Sequence, residues 1–182
     1  QSLQSRVKED TLGEFDDQLN VFFATRTHIE PAIDNLPLGL GQDTVLRIAR
    51  ILARSKFQDR LDTEGIQDVR VVDRDTLDVA VGETAELEKL DGRYNFESID
   101  VTIADGERLV LEAGVLDVAG WLGVWHHDGD IFTAGGVYPS EDFERVHFKD
   151  LTDAIDVQIE VDLDIWPQPY RDELFTLIRS VT

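Results

Sequence analysis

The feature that most constrains the fold of this chain is a two-residue alternation near its C-terminus. Apolar residues occupy every second position from Ile155 to Ile165, and Asp, Gln or Glu fills each position between them. Because successive side chains of a β-strand point to opposite faces of a sheet, the pattern predicts one strand with an apolar face and an anionic face. The stretch exceeds the usual strand length, so we expect it to cross a large sheet or to extend into a neighbouring molecule.

The same alternation predicts antiparallel strands through the middle of the chain. Apolar residues alternate with polar ones in segments centred on Val69 and Val71, Leu77 to Val81, Val101 and Ile103, and Leu109 and Leu111. Asp-Gly pairs at 91–92, 105–106 and 128–129 fall between these segments and are predicted to form hairpin turns, which require positive φ. The middle of the chain is therefore predicted to be an antiparallel meander or sandwich.

Helices are predicted at both ends of the chain. Apolar residues at three- and four-residue steps predict a helix from Leu3 to about Phe23, and a loop rich in Pro and Gly follows from residue 30 to 42. A second helix is predicted from a cap at Asp43 or Thr44 to about Leu61. After Pro167 and Pro169, a short helix is predicted to pack on the sheet through Tyr170, Leu174, Leu177, Ile178 and Val181.

These segments together predict the α+β fold class. N-terminal helices precede an antiparallel β-rich middle, and a long C-terminal strand is followed by a short helix. We divide the chain into an N-terminal helical region, residues 1–62, and a β-rich domain, residues 63–182.

The net charge of −21 indicates adaptation to concentrated salt. The 17 basic residues comprise 13 Arg and only 4 Lys, although Lys is normally among the commonest residues. At molar salt the Debye length falls to about 3 Å, so repulsion between carboxylates is screened. The composition is typical of halophilic proteins; an ordinary acidic protein is the alternative. It argues against unaided nucleic-acid binding, which needs a large basic face.

Further function classes are excluded by what the sequence lacks. Without cysteine, the chain can form neither disulfides nor thiolate metal sites, and it has no cysteine nucleophile. No apolar run approaches the ~18 residues of a membrane helix. The chain starts at Gln1 rather than Met, so we interpret this residue as a trimmed or processed start; secretion or an upstream lipid anchor stays open.

The second predicted helix concentrates positive charge on an otherwise anionic chain. Its basic residues are Arg47, Arg50, Arg54, Lys56 and Arg60. One interpretation is a solvated face whose cations pair with carboxylates of the same helix. The other is a docking face for an acidic partner, such as a second copy of this protein, in which Arg47, Arg50 and Arg54 contact the partner.

An aromatic cluster follows at residues 121–132. Trp121 and Trp125 are core residues if they are buried, and they would act as interface anchors if they are exposed. We therefore place both beside the three arginines as candidate interaction residues.

One cluster of residues in the sequence could bind a metal or act in acid-base chemistry. The sequence has no Gly-x-Ser-x-Gly motif, and Gly39-Leu40-Gly41 lacks the Lys-Ser/Thr of phosphate-binding loops. His126, His127, Asp128 and Asp130 are the cluster to test for a metal, with His147 as a further ligand, but adjacent strand residues point to opposite faces. We predict a protein that is not an enzyme and needs no cofactor or metal.

Two segments resemble proteins of haloarchaeal tailed viruses. Residues 101–136 and the preceding GETAELEKLDGRYNFESIDV resemble the Gly- and Asp-punctuated strands of their structural and tail proteins. The C-terminal IDVQIEVDLDIWPQPYRDELFTLIRSV is similar to the closing strand-Trp-helix segment of neck and tail-terminator proteins, which form rings. The resemblance implies a virion protein that contacts other virion proteins.

We therefore predict a non-catalytic structural subunit of a haloarchaeal virus tail, neck or baseplate, located in the virion and assembled as a homo-oligomeric ring. The alternative is a cell-surface or lipid-anchored binding module of a halophilic archaeon. A metal-dependent enzyme is the third hypothesis. Neither nucleic acid nor a membrane span is expected.

Overall fold

The structure is a computed structural model that describes residues 21–29, 41–102, 108–111, 113–140, 143–150 and 158–182. Two helices and nine strands lie within these residues. In chain order they are β1 (Val21–His28), α1 (Gln42–Thr63), β2 (Ile66–Asp78), β3 (Thr84–Phe96), β4 (Ile99–Thr102), β5 (Arg108–Leu111), β6 (Gly114–His127), β7 (Asp130–Pro139), β8 (Phe143–Asp150), β9 (Gln158–Ile165) and α2 (Pro167–Ser180). The prediction of a mixed, β-rich fold is confirmed.

Five strands form the main sheet in the order β1-β7-β6-β3-β2, and all neighbours are antiparallel. The hairpin between β6 and β7 turns at Asp128 and Gly129, which have φ of 50° and 82°. Because His127 pairs with Asp130, the loop has two residues with positive φ, as tight hairpin turns require. The turn predicted at this Asp-Gly pair is confirmed.

The turn predicted at Asp91-Gly92 is wrong. Both residues lie inside β3, where Asp91 pairs with Arg70 on one side and Ala119 on the other. Apolar residues on both sides of this pair continue the strand, so sheet pairing overrides the local turn preference. The chain turns earlier, between β2 and β3, where Gly82 has φ of 84°. The Asp105-Gly106 pair lies outside the described residues.

Each helix covers one face of the main sheet. Phe57 and Leu61 of α1 pack in one core with Leu90, Leu122 and Val137. On the opposite face, α2 inserts its buried residues Leu174 and Ile178 among Leu87, Trp121 and Tyr138. The predicted packing of the C-terminal helix on the sheet is confirmed, although Leu177 of its predicted inner face is exposed.

The N-terminal prediction needs correction. Residues 21–23 are not the end of a helix but the start of β1, in which Val21 pairs with Val137 at the sheet edge. Phe22, Phe23 and two threonines favour a strand, and pairing with β7 overrides the helical spacing. The described part of region 1–62 thus contributes a strand as well as a helix. The predictions for residues 3–20 and 30–40 lie outside the described residues.

A second sheet has four strands in the order β4-β5-β8-β9, again antiparallel. β9 confirms the later part of the predicted C-terminal strand, and residues 155–157 lie outside the described residues. Pro167 begins α2 directly after the exposed Trp166, as expected for a strand followed by a helix. Within the described residues, no helix is both long and apolar enough to cross a membrane.

Replacement of Gly136 by Ala tests the close contact of β1 with β7. A methyl group there would collide with the carbonyl oxygen of Val21 and lie 2.8 Å from Leu174 Cδ1. Because the first neighbour is backbone, the edge strand must shift. We expect Gly136→Ala to lower the free energy of unfolding by about 1–3 kcal/mol, measured by urea denaturation at constant molar KCl.

Gly41→Ser is the matched control. Gly41 is the N-cap of α1, with extended backbone and no side-chain cap, and a Cβ there meets nothing within 4 Å. A serine hydroxyl can accept a hydrogen bond from the first turn, so stability should rise by roughly 0.2–0.5 kcal/mol. An unchanged stability for Gly136→Ala would contradict the packing of β1 described above.

Candidate binding site

Helix α1 buries apolar residues in its C-terminal half and exposes apolar residues in its N-terminal half. Phe57 and Leu61 are buried in the core below the helix. Ile48, Ile51 and Leu52 are 49%, 51% and 57% exposed. Large aliphatic side chains grouped on one exposed helix face are unusual unless a partner covers them. We call Arg47, Ile48, Ile51 and Leu52 the outer face of α1.

A groove of about 450 Å³ separates α1 from β1 and β7. Most of the side chains along it are apolar, and three threonines form part of its floor. Its lining residues are Phe23, Thr25, Thr27, Ile29, Val45, Ile48, Ala49, Leu52, Ala53, Lys56, Phe57, Arg60, Ile131 and Thr133. The volume is within the usual range of small-ligand sites, and Lys56 and Arg60 are the cationic residues of the lining.

Two of the arginines predicted to dock a partner instead pair with the sheet of their own chain. Arg50 forms an ion pair with Glu86. Arg54 Nη1 lies 3.3 Å from Glu88 Oε1, and Arg74 Nε lies 3.4 Å from the same oxygen. The Glu88 side chain is only 2% exposed, so the two arginines replace part of the hydration that it loses on folding. The pairing is with strand β3 rather than with carboxylates of the helix itself.

The other cations of α1 have no such partner. Arg47, Lys56 and Arg60 form no ion pair with any carboxylate in the described part of the chain. Arg47 lies on the outer face, and the other two lie along the groove. On a chain of net charge −21, these side chains are positioned to meet an anion from outside.

Substitution of Arg54 tests its structural role. Arg54→Ala leaves the buried Glu88 carboxylate with Arg74 alone, whose side chain is mostly exposed. We expect a loss of about 2–4 kcal/mol in unfolding free energy, somewhat below the range of about 3–5 kcal/mol for breaking a buried pair, because Arg74 remains. Urea denaturation followed by tryptophan fluorescence measures the change.

Arg47→Ala provides the control, since it removes an arginine from the same helix without removing an ion pair. Its effect should stay within about 0.5 kcal/mol. Equal losses for the two variants would contradict the distinction between structural and unpaired arginines.

Trp121 and Trp125 lie in the core on the α2 side of the sheet. Trp121 Nε1 donates a hydrogen bond to Tyr138 Oη at 3.2 Å, and the ring meets Phe175 edge to face. Trp125 stacks on Phe132 at 5.6 Å. Their burial selects the core interpretation over that of surface anchors. Burial also raises the pKa of the Tyr138 phenol above its usual value.

An exposed indole does occur, at a position that the sequence argument did not single out. Trp166 is 50% exposed at the junction of β9 and α2. The sequence could have indicated this exposure. Trp166 lies between the end of the alternating strand and Pro167, and it belongs neither to the apolar face of the strand nor to that of the helix.

The histidine cluster is divided by the hairpin. His127 Nδ1 lies 3.6 Å from Glu83 Oε1, and His126 lines a small polar pocket with Arg50 and Glu86. Asp130 turns instead toward β1, while His147 lies in β8 of the second sheet. Among the residues that the structure describes, no group of three or more His, Asp and Glu is placed to hold a metal ion. The Trp125 Nε1 and His127 Nδ1 atoms are buried without a hydrogen bond.

Asp130 joins the edge strand to the hairpin. Arg26 Nε donates to Asp130 Oδ2 at 2.5 Å, and His28 Nδ1 lies 2.7 Å from Oδ1. The hydrogen bond from His28, followed by that from Arg26, lowers the pKa of Asp130, although burial alone would raise it. Arg26 also lies over the Phe132 ring at 5.4 Å. The pairing of Arg26 and His28 with Asp130 could not be predicted from the sequence, because residues 21–23 were predicted to end a helix.

The contribution of Asp130 to the free energy of unfolding should depend on pH. A carboxylate whose pKa is lowered by folding stabilises the fold above its unfolded value, here 3.8, and this contribution disappears as pH falls through the folded pKa. The unfolding free energy of the protein minus that of Asp130→Asn should thus shrink as pH falls below 3.8. Urea titrations at a series of pH values on both sides of 3.8 measure it.

Asp128→Asn controls for the loss of one charge, since the Asp128 side chain is exposed in the neighbouring turn. If the difference in unfolding free energy between the protein and Asp130→Asn stays unchanged down to strongly acidic pH, the ionised form of Asp130 does not stabilise the fold.

The arrangement defines a class of protein: an antiparallel sheet covered by one helix on each face, with an apolar groove beside an incompletely covered helix. The family model for DUF6517, described as a domain of unknown function, matches residues 5–182, and the chain belongs to this family. Nothing among the curated proteins or the solved structures matches it.

Proposed function

We propose that this protein is a non-catalytic binding subunit that docks an acidic protein surface on the outer face of α1. The observation that carries the proposal is the grouping of three half-exposed aliphatic residues with an unpaired cation, Arg47, on a chain of net charge −21. Apolar contact supplies affinity, and charge complementarity sets orientation and partner choice. The non-catalytic part rests on the sequence, in which no nucleophile motif was found.

A second copy of the same chain is the simplest acidic partner. The edge strand β2 exposes Val72, Asp73 and Asp75, with Asp78 at its end, and Arg74 between them pairs with Glu88. This strip combines carboxylates with an aliphatic side chain, so its chemistry complements the outer face of α1. Two copies of the outer face would bring their Arg47 side chains together, and these like charges repel. The proposed contact therefore joins different surfaces of the two copies. Contacts of this kind close into rings or extend into filaments.

The setting is proposed from the sequence. A haloarchaeal virus tail, neck or baseplate is supported by the acidic, lysine-poor composition and by the two segment resemblances. Subunits that form a ring contact each other head to tail, and a contact between the outer face of α1 and β2 of the next copy would be of this kind. A binding module at the surface of a halophilic archaeon is the alternative, in which the same face would bind a different acidic protein.

Charge reversal on the outer face tests the assembly. The double variant Arg47→Glu with Ile51→Glu should be monomeric under conditions in which the protein self-associates, because both the cation and the apolar anchor are lost. We expect the apparent dissociation constant to rise at least about tenfold per altered hot-spot residue. Sedimentation velocity in 2 M KCl measures it, with circular dichroism to verify folding.

Arg179→Glu is the matched control, since Arg179 is exposed on α2 at the opposite face of the sheet and makes no ion pair with the described carboxylates. It should leave assembly unchanged. A protein that stays monomeric in 2 M KCl at every concentration would reject self-assembly through α1.

A further inference from the structure

The groove between α1 and the β1–β7 edge is long and mostly apolar. Its lining residues on α1 run from Val45 to Arg60, so the groove follows about 22 Å of helix. Most of the lining side chains are apolar, so the groove suits an elongated apolar occupant.

The two ends of the groove differ in charge. Ile29, Val45 and Ile131 lie toward the start of α1, and these apolar residues form one end. Lys56 and Arg60 lie one turn apart toward the other end, where Phe23 and Phe57 contact each other. Neither cation pairs with a carboxylate of the described residues. An occupant should therefore be apolar along most of its length and anionic at one end.

The floor provides a route of entry. Thr25 and Thr27 of the edge strand are exposed, so the groove opens to solvent beside β1. Their hydroxyls can bond to water while their methyl groups face an apolar chain. A ligand can thus slide in from the side without separating α1 from the sheet.

We propose that this groove binds a single-chain amphiphile with an anionic head, of the class of medium-chain carboxylates, with the head at Lys56 and Arg60. Ile48 and Leu52 of the outer face also line this groove, but Arg47 and Ile51 do not, so the double variant that tests assembly leaves the groove lining unchanged. At molar salt only charges in contact remain effective, because the Debye length is about 3 Å. Direct hydrogen bonds from Lys56 and Arg60 to a carboxylate satisfy that condition.

Titration of the isotope-labelled full chain with decanoate in 2 M KCl tests the proposal. Saturable chemical-shift changes should concentrate at Thr25, Ala49 and Thr133, which line the middle of the groove. Ala49→Trp and Thr27→Phe each fill the groove from a different element, so each should abolish these changes. Val115→Phe adds an aromatic ring at an exposed site outside the groove and should leave binding intact.

A comparison of decanoate with decanol tests whether the anionic head lies at Lys56 and Arg60. Lys56→Ser with Arg60→Ser should weaken decanoate binding about tenfold, while binding of the uncharged decanol should change little. Equal decanoate binding by both filled variants, or equal loss for decanol and decanoate, would overturn the proposal. So would groove signals that move with protein concentration and not with decanoate, since the groove would then be an interface between copies. Failure of the α1 charge reversal to alter assembly leaves this result unaffected.

Discussion

The fold depends on covering both faces of strands β6 and β7. These central strands are buried along most of their length, and apolar side chains project to either side. A sheet of this kind is stable only if each face packs against another layer. α1 supplies one layer and α2 the other, although about a hundred residues separate them in the chain. The groove exists because α1 covers its face incompletely, close to the edge strand.

Sequence periodicity predicted the elements better where the local pattern is strong. The alternation in β9, the amphipathic face of α2 and the Asp128-Gly129 turn follow from local pattern, and the structure has them. β1 could not be predicted in this way, because its strand character comes from pairing with β7, more than a hundred residues away. The Asp91-Gly92 turn failed for the same reason: neighbours on both sides hold β3 extended.

Only part of the candidate site could be predicted from the sequence. A cluster of cations on one helix was visible, but residue spacing could not separate those bound to Glu86 and Glu88 from those without partners. That distinction depends on which strand lies beneath each helical turn. Burial likewise decided the role of Trp121 and Trp125, while their sequence allowed either role. The groove itself arises between distant elements and has no signature in local sequence.

The order of the elements along the chain affects how the protein folds during synthesis. Strands β3, β6 and β7 are synthesised before the helix that shields Leu87, Trp121 and Tyr138. The edge strand β1, although made first, cannot pair until β7 has emerged. Non-local pairing of this kind slows folding and leaves apolar surface exposed to aggregation. Native structure can therefore be completed only after α2 has been synthesised, so a cell producing this protein must protect one whole side of an unfinished sheet until that helix emerges from the ribosome.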